Sequence, residues 1–286
     1  MKNENKNKTC LVLEGGALRG IYSAGVLDVF LKKNIFVDAI IGTSAGALFG
    51  VNYVSKQKER ALRYNKHYCK NKDYMGIYSF LTTGNIMNKE FCFDKLINEL
   101  DPFDFETYSK SKTKFYATVT NLETGKAEYP EIKDFAKDLE YLRASGSMPI
   151  VSKIVEIKGK KYLDGGIADS IPVQKAIEMG FGKIIVVTTR VLEYRKKKSP
   201  VWPYKLLYKD YPKFIERNKN RYMEYNETVE NIINLENEGK IFVIRPSQKV
   251  KISKIEKNPE RIEAQYRVGY NDALNKLEDL KKYLEK

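Results

Sequence analysis

The strongest constraint on the fold is the alternation of short apolar runs and helical segments up to about residue 189. Residues 9–13, 38–43 and 184–189 are short runs of mostly apolar, often β-branched residues, as in buried strands. Segments 18–33 and 173–179 carry apolar residues at helical intervals. This alternation predicts an α/β protein of three layers, with a mainly parallel central sheet and helices on both faces.

The chain changes character near residue 190. The chain has 51 basic residues (Lys and Arg) and 37 acidic residues (Asp and Glu). Residues 1–189 contain 28 basic and 22 acidic residues, a net charge of +6. Residues 190–286 contain 23 basic and 15 acidic residues, a net charge of +8. Beyond this point we expect one short strand at 241–244 and helices elsewhere, including an amphipathic helix over 259–284. We therefore predict an α/β domain at 9–190 and a basic, mostly helical extension at 191–286.

The pattern Gly42-Thr43-Ser44-Ala45-Gly46 lies between a predicted strand and a predicted helix. GxSxG in this context is typical of a nucleophile elbow, where a tight turn strains the serine backbone and small neighbours leave its hydroxyl accessible. The N-terminus of the following helix would favour negative charge at the site. A glycine-rich turn without chemistry is the alternative.

The segment Glu14–Gly20 places adjacent glycines between the first strand and the first helix. Adjacent glycines let backbone amides approach an anionic atom, as an oxyanion hole requires. A dinucleotide site is an alternative, because a Rossmann unit has the same order of strand, glycine turn, helix and acid. Two features disfavour that alternative. Ala17 stands where a Rossmann unit has its middle glycine, and Asp38 precedes its strand, whereas the acid of a Rossmann unit lies at the end of a strand. A plain tight turn is the third interpretation.

Asp164-Gly165-Gly166 follows directly on the strand-like residues 161–163. A carboxylate at the C-terminal end of a strand lies on the edge where α/β proteins bind ligands. Taken alone, an ordinary Asp-Gly turn explains this segment equally well.

The three motifs together resemble the patatin-like phospholipases, over roughly residues 9–190. Gly-Gly-x-x-Arg-Gly, GxSxG about 25 residues later and a distant Asp-Gly-Gly occur in the order of that family. The segments 144–149 and 164–172 are also similar to family segments, and the tail from about 195 looks like the C-terminal extension of a bacterial subgroup. The resemblance implies an α/β/α fold and a serine nucleophile that works with an aspartate and no histidine.

Carried over to this chain, the resemblance makes Ser44 the nucleophile and Asp164 its base. The family's third glycine in the first motif is replaced here by Ala17. The residues implied for the oxyanion loop, with the arginine holding its shape, are Gly15, Gly16, Ala17 and Arg19.

The single histidine, His67, restricts the chemistry independently of any resemblance. Multi-histidine zinc sites and HExxH are excluded, and a Ser–His–Asp scheme would have to use His67 alone. His67 lies in a charged, aromatic stretch without glycine turns, which favours a partly exposed helical residue. A close, partly desolvated carboxylate can replace it as a base, because desolvation raises proton affinity. We expect no metal and no cofactor; Asp101–Glu106 lacks the glycine and spacing of an EF-hand.

Arg195–Tyr222 combines ten basic residues with six aromatic ones. This composition suits an anionic membrane surface, and it also suits nucleic-acid phosphates with base stacking. No nucleic-acid recognition motif accompanies the charge, so we expect no nucleic-acid partner. A solvated basic face over core aromatics remains the plainest interpretation.

The chain shows no h-region of a signal peptide behind its Lys/Asn-rich start and no apolar run of bilayer length. Three cysteines without a CxxC pair indicate a reducing cytosol. We therefore expect a cytoplasmic serine acyl hydrolase of lipid carboxylic esters, peripheral to the inner membrane face if the basic segment binds lipid. The alternative is a catalytically idle lipid- or nucleic-acid-binding protein on the same scaffold, and a dehydrogenase comes third.

Overall fold

The fold is described from a computed structural model, which covers residues 5–249 and 251–285. Its single sheet has the strand order β5-β6-β3-β2-β1-β7-β8, with β4 paired to β3 beside this path. The strands of the described residues are β1 (Thr9–Leu13), β2 (Ala39–Thr43), β3 (Lys114–Asn121), β4 (Ala127–Glu128), β5 (Val155–Ile157), β6 (Lys160–Asp164), β7 (Lys183–Val187) and β8 (Phe242–Ile244).

The helices follow the predicted alternation, with several differences, and the helix Ile77–Thr83 is one that the sequence pattern did not predict. The first helix begins as a 3-10 turn at Ala17–Gly20, a π-helix at Phe91–Leu100 was not predicted, and the last amphipathic segment is two helices separated at Lys276. The α-helices of the described residues are α1 (Ile21–Lys32), α2 (Ala45–Val54), α3 (Arg60–Tyr68), α4 (Ile77–Thr83), α5 (Phe105–Lys110), α6 (Phe135–Gly146), α7 (Val173–Glu178), α8 (Trp202–Leu207), α9 (Pro212–Asn237), α10 (Pro259–Asn275) and α11 (Leu277–Glu285).

Local signals set several helix ends. Asp134 caps α6, because its side chain accepts a hydrogen bond from the amide of Lys137 and so satisfies a free N–H of the first turn. Gly180 has a φ of +79° just after α7, the left-handed conformation in which glycine commonly stops a helix. The left-handed glycine explains why the end of α7, expected at residue 179, could be predicted to within one residue.

The sheet is mainly parallel: the strand before Ser44 belongs to its parallel part, whereas the strand that ends at Asp164 is antiparallel to its neighbour. The five strands β3, β2, β1, β7 and β8 run parallel, and β4, β5 and β6 are antiparallel to their neighbours. Successive side chains of β1 point to opposite faces: Leu11 and Leu13 pack into the core that includes α1 and α10, and Cys10 and Val12 into the core that includes α7 and α9. The predicted three-layer α/β/α class with a mainly parallel sheet is confirmed.

The C-terminal segment is built into this architecture. Strand β8 extends the sheet by pairing in parallel with β7. Helix α10 crosses α1 with their backbones in contact, since a Cβ at Gly269 would lie 2.0 Å from the carbonyl oxygen of Tyr22. A domain boundary at 190/191 stays a prediction, but residues on both sides of it share one sheet and one core.

A helix that crosses a bilayer must be both long and apolar. No helix within residues 5–249 and 251–285 combines these two properties.

Candidate active site

The turn between β2 and α2 carries Ser44 in a strained conformation. Ser44 has a φ of +53° and a ψ of −120°, outside the regions that side-chain-bearing residues ordinarily occupy. The turn closes only with small neighbours: a Cβ at Gly42 would lie 2.7 Å from the amide nitrogen of Ala47, and one at Gly46 would lie 2.5 Å from the carbonyl oxygen of Leu13. This local geometry is that of a nucleophile elbow.

Ser44 and Asp164 are in direct contact. The Ser44 hydroxyl donates a 2.7 Å hydrogen bond to Oδ2 of Asp164. Both residues are buried, with 8% and 7% of their surfaces exposed. The two residues singled out from separate motifs of the sequence therefore lie side by side.

Asp164 stands at the end of β6, where the chain turns into the 3-10 turn Gly165–Ile167. Its second oxygen, Oδ1, accepts a 2.7 Å hydrogen bond from the amide of Gly166. Burial raises the pKa of Asp164, and the hydrogen bonds from Ser44 and Gly166 oppose this rise. The raised pKa makes the carboxylate a stronger base than an exposed aspartate.

The first glycine loop approaches Ser44 closely. A Cβ at Gly15 would lie 3.2 Å from Cβ of Ser44, and the Gly15 amide donates to the carbonyl of Ser170 at 3.1 Å. Within the described residues, the amides of Gly16 and Ala17 have no hydrogen-bond partner. Ala17 has a φ of +50°, a left-handed conformation at the start of the 3-10 turn. Two free amides therefore lie in the loop beside the serine.

Arg19 lies in the 3-10 turn that follows this loop. Its amide donates to the carbonyl of Gly16 at 3.2 Å, which closes the turn. Burial and the nearby Arg190 lower the pKa of Arg19. Its Nε is buried without a partner among the described residues.

A mostly apolar cavity adjoins the serine. Its empty space is about 920 Å³, including the part open to solvent. Ser44 and Ala17 form part of the wall, Lys254 and Arg60 add charge, and most other lining residues are apolar, among them Leu48, Phe49, Met75, Leu96, Phe135 and Leu142. Such a cleft can hold an extended apolar group next to the Ser44 hydroxyl.

The sequence model of the patatin-like phospholipase family matches residues 11–177. These residues make up more than half of the chain and contain both Ser44 and Asp164. The chain belongs to the patatin-like phospholipase family. A second family model, a domain of unknown function (DUF6363), matches residues 211–285 in the C-terminal segment.

Curated relatives match the patatin-like part. The uncharacterized protein YjjU of Escherichia coli (strain K12) is 30% identical over 190 residues, 64% of this chain and 52% of YjjU. Lysophospholipase NTE1 of Saccharomyces cerevisiae is 29% identical over 186 residues, 62% of this chain and 10% of NTE1. The chain thus spans about half the length of YjjU and about a tenth of NTE1.

Among solved structures, VipD from Legionella pneumophila covers 96% of this chain and 67% of its own chain, with a TM-score of 0.44 and 13% identity.

His67 lies outside the candidate site formed by Ser44, Asp164 and the adjoining cavity. It lies on the exposed side of α3, with its ring 4.5 Å from that of Tyr68, and it does not line the cavity.

In the acidic stretch 101–106, Asp101 pairs with Arg63 at 2.8 Å and Asp104 caps α5. Residues 5–249 and 251–285 contain no group of three or more His, Cys, Asp or Glu side chains arranged to hold a metal ion.

Two residues that the sequence did not single out hold the backbone near Ser44 and in the glycine loop by hydrogen bonds. The Ser145 hydroxyl accepts a 2.9 Å hydrogen bond from the amide of Ser44, and the sequence indicates only the Ala-Ser-rich segment that contains it. Glu14 is buried at the end of β1, where its carboxylate accepts hydrogen bonds from the amide of Thr189 and, at 2.7 Å, from the Tyr225 hydroxyl. Glu14 thus ties the glycine loop to β7 and α9. A lone glutamate after a strand carries no sequence signal for this role.

Proposed function

We propose that the protein is a serine acyl hydrolase that cleaves carboxylic esters of lipids through a Ser44–Asp164 dyad. The observation that carries this proposal is the 2.7 Å hydrogen bond from the strained serine to a buried carboxylate, beside an apolar cavity. The family match and the lysophospholipase relatives support a lipid acyl hydrolase. The histidine that would be needed for a triad is exposed on α3 and outside the cavity lining.

In the proposed reaction the Ser44 Oγ attacks the ester carbonyl carbon while Asp164 accepts the hydroxyl proton. When the tetrahedral intermediate collapses, the bond to the alcohol oxygen breaks and Asp164 returns the proton to that oxygen. Water then attacks the acyl-enzyme, and Asp164 takes a proton from the water. This step releases the carboxylic acid and restores the Ser44 hydroxyl with the proton that Asp164 gives back.

The oxyanion of the intermediate would be bound by backbone amides. Gly16 and Ala17 have amides without partners in the described chain, and Ala45 begins α2, where amides lack an intrahelical acceptor. Because its own amide donates to Ser170, Gly15 would serve instead by letting the loop approach Ser44 closely. Arg19 would keep the loop in shape through its place in the 3-10 turn.

The test of this proposal is active-site labelling with a fluorophosphonate probe, combined with hydrolysis of a neutral p-nitrophenyl ester. The wild-type protein should be labelled and should hydrolyse the ester, and the Ser44→Ala variant should do neither. A folded wild-type protein that binds lipid but is neither labelled nor active would instead support the catalytically idle binding protein.

We also propose that α8 touches an anionic membrane surface from the cytoplasmic side. Trp202 and Leu206 on this helix are 69% and 70% exposed, and Lys205 and Lys209 are exposed nearby. Apolar and basic side chains together suit an interface with anionic lipid. The buried, free state of Cys10 is consistent with a reducing compartment.

Liposome co-sedimentation tests this contact. Binding should be stronger to anionic than to neutral vesicles and should weaken in a Trp202→Ser, Leu206→Ser variant. Equal sedimentation with both vesicle types would remove the membrane contact, and a preference for RNA over anionic vesicles would favour a nucleic-acid partner.

A further inference from the structure

Arg221 of α9 reaches the loop that carries the catalytic aspartate. A Cβ at Gly166, two residues past Asp164, would lie 3.4 Å from a terminal nitrogen of the Arg221 guanidinium. The Nε of Arg221 is buried and has no hydrogen-bond partner within the described residues. A buried guanidinium nitrogen without an acceptor is costly, and a bound anion would supply the missing acceptor.

Two lysines of the C-terminal segment complete the group. Lys196 places its Nζ 3.5 Å from the hydroxyl of Ser170 and 4.1 Å from the ring centre of Tyr225. Lys254 lines the cavity together with Ser44, and its side chain is partly buried and partly exposed to solvent.

Positive charge collects around these three residues. Arg19 and Arg190 also lie near them, Glu14 and Asp164 are carboxylates close to Lys196, and Asp169 and Glu224 line a small cleft with Arg221. None of the five cations takes part in the ion pairs found among residues 5–249 and 251–285.

The pKa values of Lys196 and Lys254 are lowered, in part because other positive charges lie close to them. Burial and the neighbouring Arg221 lower the pKa of Lys196 to about 7, and burial together with Arg19 and Arg221 lowers the pKa of Lys254. A bound anion would relieve this repulsion. Arg and Lys side chains in such a group are the usual partners of phosphate oxygens.

We propose that Lys196, Arg221 and Lys254 form an anion subsite that selects acyl esters with a negatively charged phosphate headgroup over zwitterionic or neutral ones. The inference rests on the proposed function, since the acyl chain would occupy the apolar cavity while the headgroup lies toward the cations. The C-terminal segment would then determine specificity for a reaction carried out by the patatin-like part.

The test compares three monomeric substrates with one acyl chain: lysophosphatidylglycerol, lysophosphatidylcholine and the neutral monoacylglycerol. Wild-type protein should show a kcat/KM at least about tenfold higher for the anionic substrate than for the other two. Lys254→Met should reduce this preference at least about fivefold, mainly through KM, and Lys196→Met should act in the same direction. Lys251→Met, with the same charge change at an exposed position three residues away, should keep the wild-type preference.

An inhibition assay with the unmodified protein keeps the proposal testable if a variant fails to fold. Monodecyl phosphate should inhibit hydrolysis of a neutral p-nitrophenyl ester competitively and at least about tenfold more tightly than decanol. If inorganic phosphate inhibits as strongly as monodecyl phosphate, the cations bind free phosphate and the headgroup subsite is wrong.

The remaining outcomes separate this inference from the proposed function. Hydrolysis by wild type without anionic preference overturns the subsite and leaves the hydrolase standing. An equal loss of kcat for all three substrates in Lys254→Met would mean that the cations only adjust Asp164, and would also overturn the subsite. A wild-type protein that hydrolyses no ester would remove both.

Discussion

The Ser44 hydroxyl donates to Asp164 at 2.7 Å although 120 residues separate them in the chain. The contact arises because β2 and β6 lie on either side of β3 and end beside neighbouring residues of it, Thr43 opposite Thr118 and Asp164 opposite Val119. Each residue sits in a turn that glycine makes possible, so the pair is held by backbone geometry as well as by its hydrogen bond.

Removing either member of the proposed Ser44–Asp164 dyad should abolish turnover while leaving the fold intact. We expect Ser44→Ala and Asp164→Asn each to lower kcat for ester hydrolysis by at least about 10³-fold, because nucleophile and base act as a unit. Initial-rate kinetics with a p-nitrophenyl ester measure this. Ser109→Ala and Asp210→Asn, at exposed positions, are matched controls that should retain wild-type rates. Full activity of Ser44→Ala would end the assignment.

The acid side of the pH profile should report on Asp164. The base must be ionised to accept a proton, and burial raises its pKa above the usual value of about 3.9. We therefore expect kcat/KM to fall, as pH decreases, through a midpoint above that usual value. Rates from pH 3 to 8, with circular dichroism at each pH to confirm folding, provide the measurement. If kcat/KM fell with a midpoint at or below the ordinary pKa of aspartate, another group would be the base.

Asp28 should make the free energy of unfolding depend on pH. Its carboxylate accepts from the Tyr266 hydroxyl at 2.8 Å and from the Glu59 amide at 3.0 Å, and burial raises its pKa to about 6. Because the unfolded value is about 3.9, the contribution of Asp28 is full below pH 4 and is lost as pH rises to about 6, a change of about 3 kcal/mol.

The variant Asp28→Asn removes this charge. The Tm of the variant relative to wild type should therefore be higher at pH 8 than at pH 4.5, as measured by thermal denaturation at both values. The exposed Asp73→Asn should show no such pH-dependent difference. A relative Tm that falls with rising pH would contradict a raised pKa at Asp28.

Gly269→Ala should destabilise the protein even though alanine is the better helix former. The new Cβ would lie 2.0 Å from the carbonyl oxygen of Tyr22, and neither backbone can yield without separating α10 from α1. Overpacking of this kind costs about 1–3 kcal/mol, whereas an unhindered glycine-to-alanine change in a helix gains up to about 1 kcal/mol. Urea denaturation distinguishes the two signs, and a gain in stability would refute the close crossing.

Much of the α/β part followed from local patterns. The strand and helix bounds near Thr9–Leu13 and Ala45–Val54, and the parallel class of the sheet, were predictable because apolar periodicity and glycine turns act over a few residues. The break at Lys276 and the π-helix were missed, because the apolar periodicity of these segments does not indicate either feature.

The roles of C-terminal residues needed the tertiary structure. For the segment 195–222 the plainest interpretation was a solvated basic face over core aromatics, and Phe214 is fully buried, as a core aromatic would be. Lys196, however, lies beside the Ser170 hydroxyl instead of on a free face. Composition cannot distinguish a basic side chain on a free face from one folded back over the site.

The sequence by itself determined the class of fold, the elbow at Ser44 and the motif around Asp164. These features are encoded in consecutive residues, where backbone conformation and side-chain size act directly. Only the tertiary structure decided that Ser44 meets Asp164, that the amide of Gly15 is already bonded, and that the cations of the C-terminal segment gather at the same place. The contact of Ser44 with Asp164 joins residues 120 positions apart. All these encounters depend on strand order and helix crossing, which no local pattern specifies.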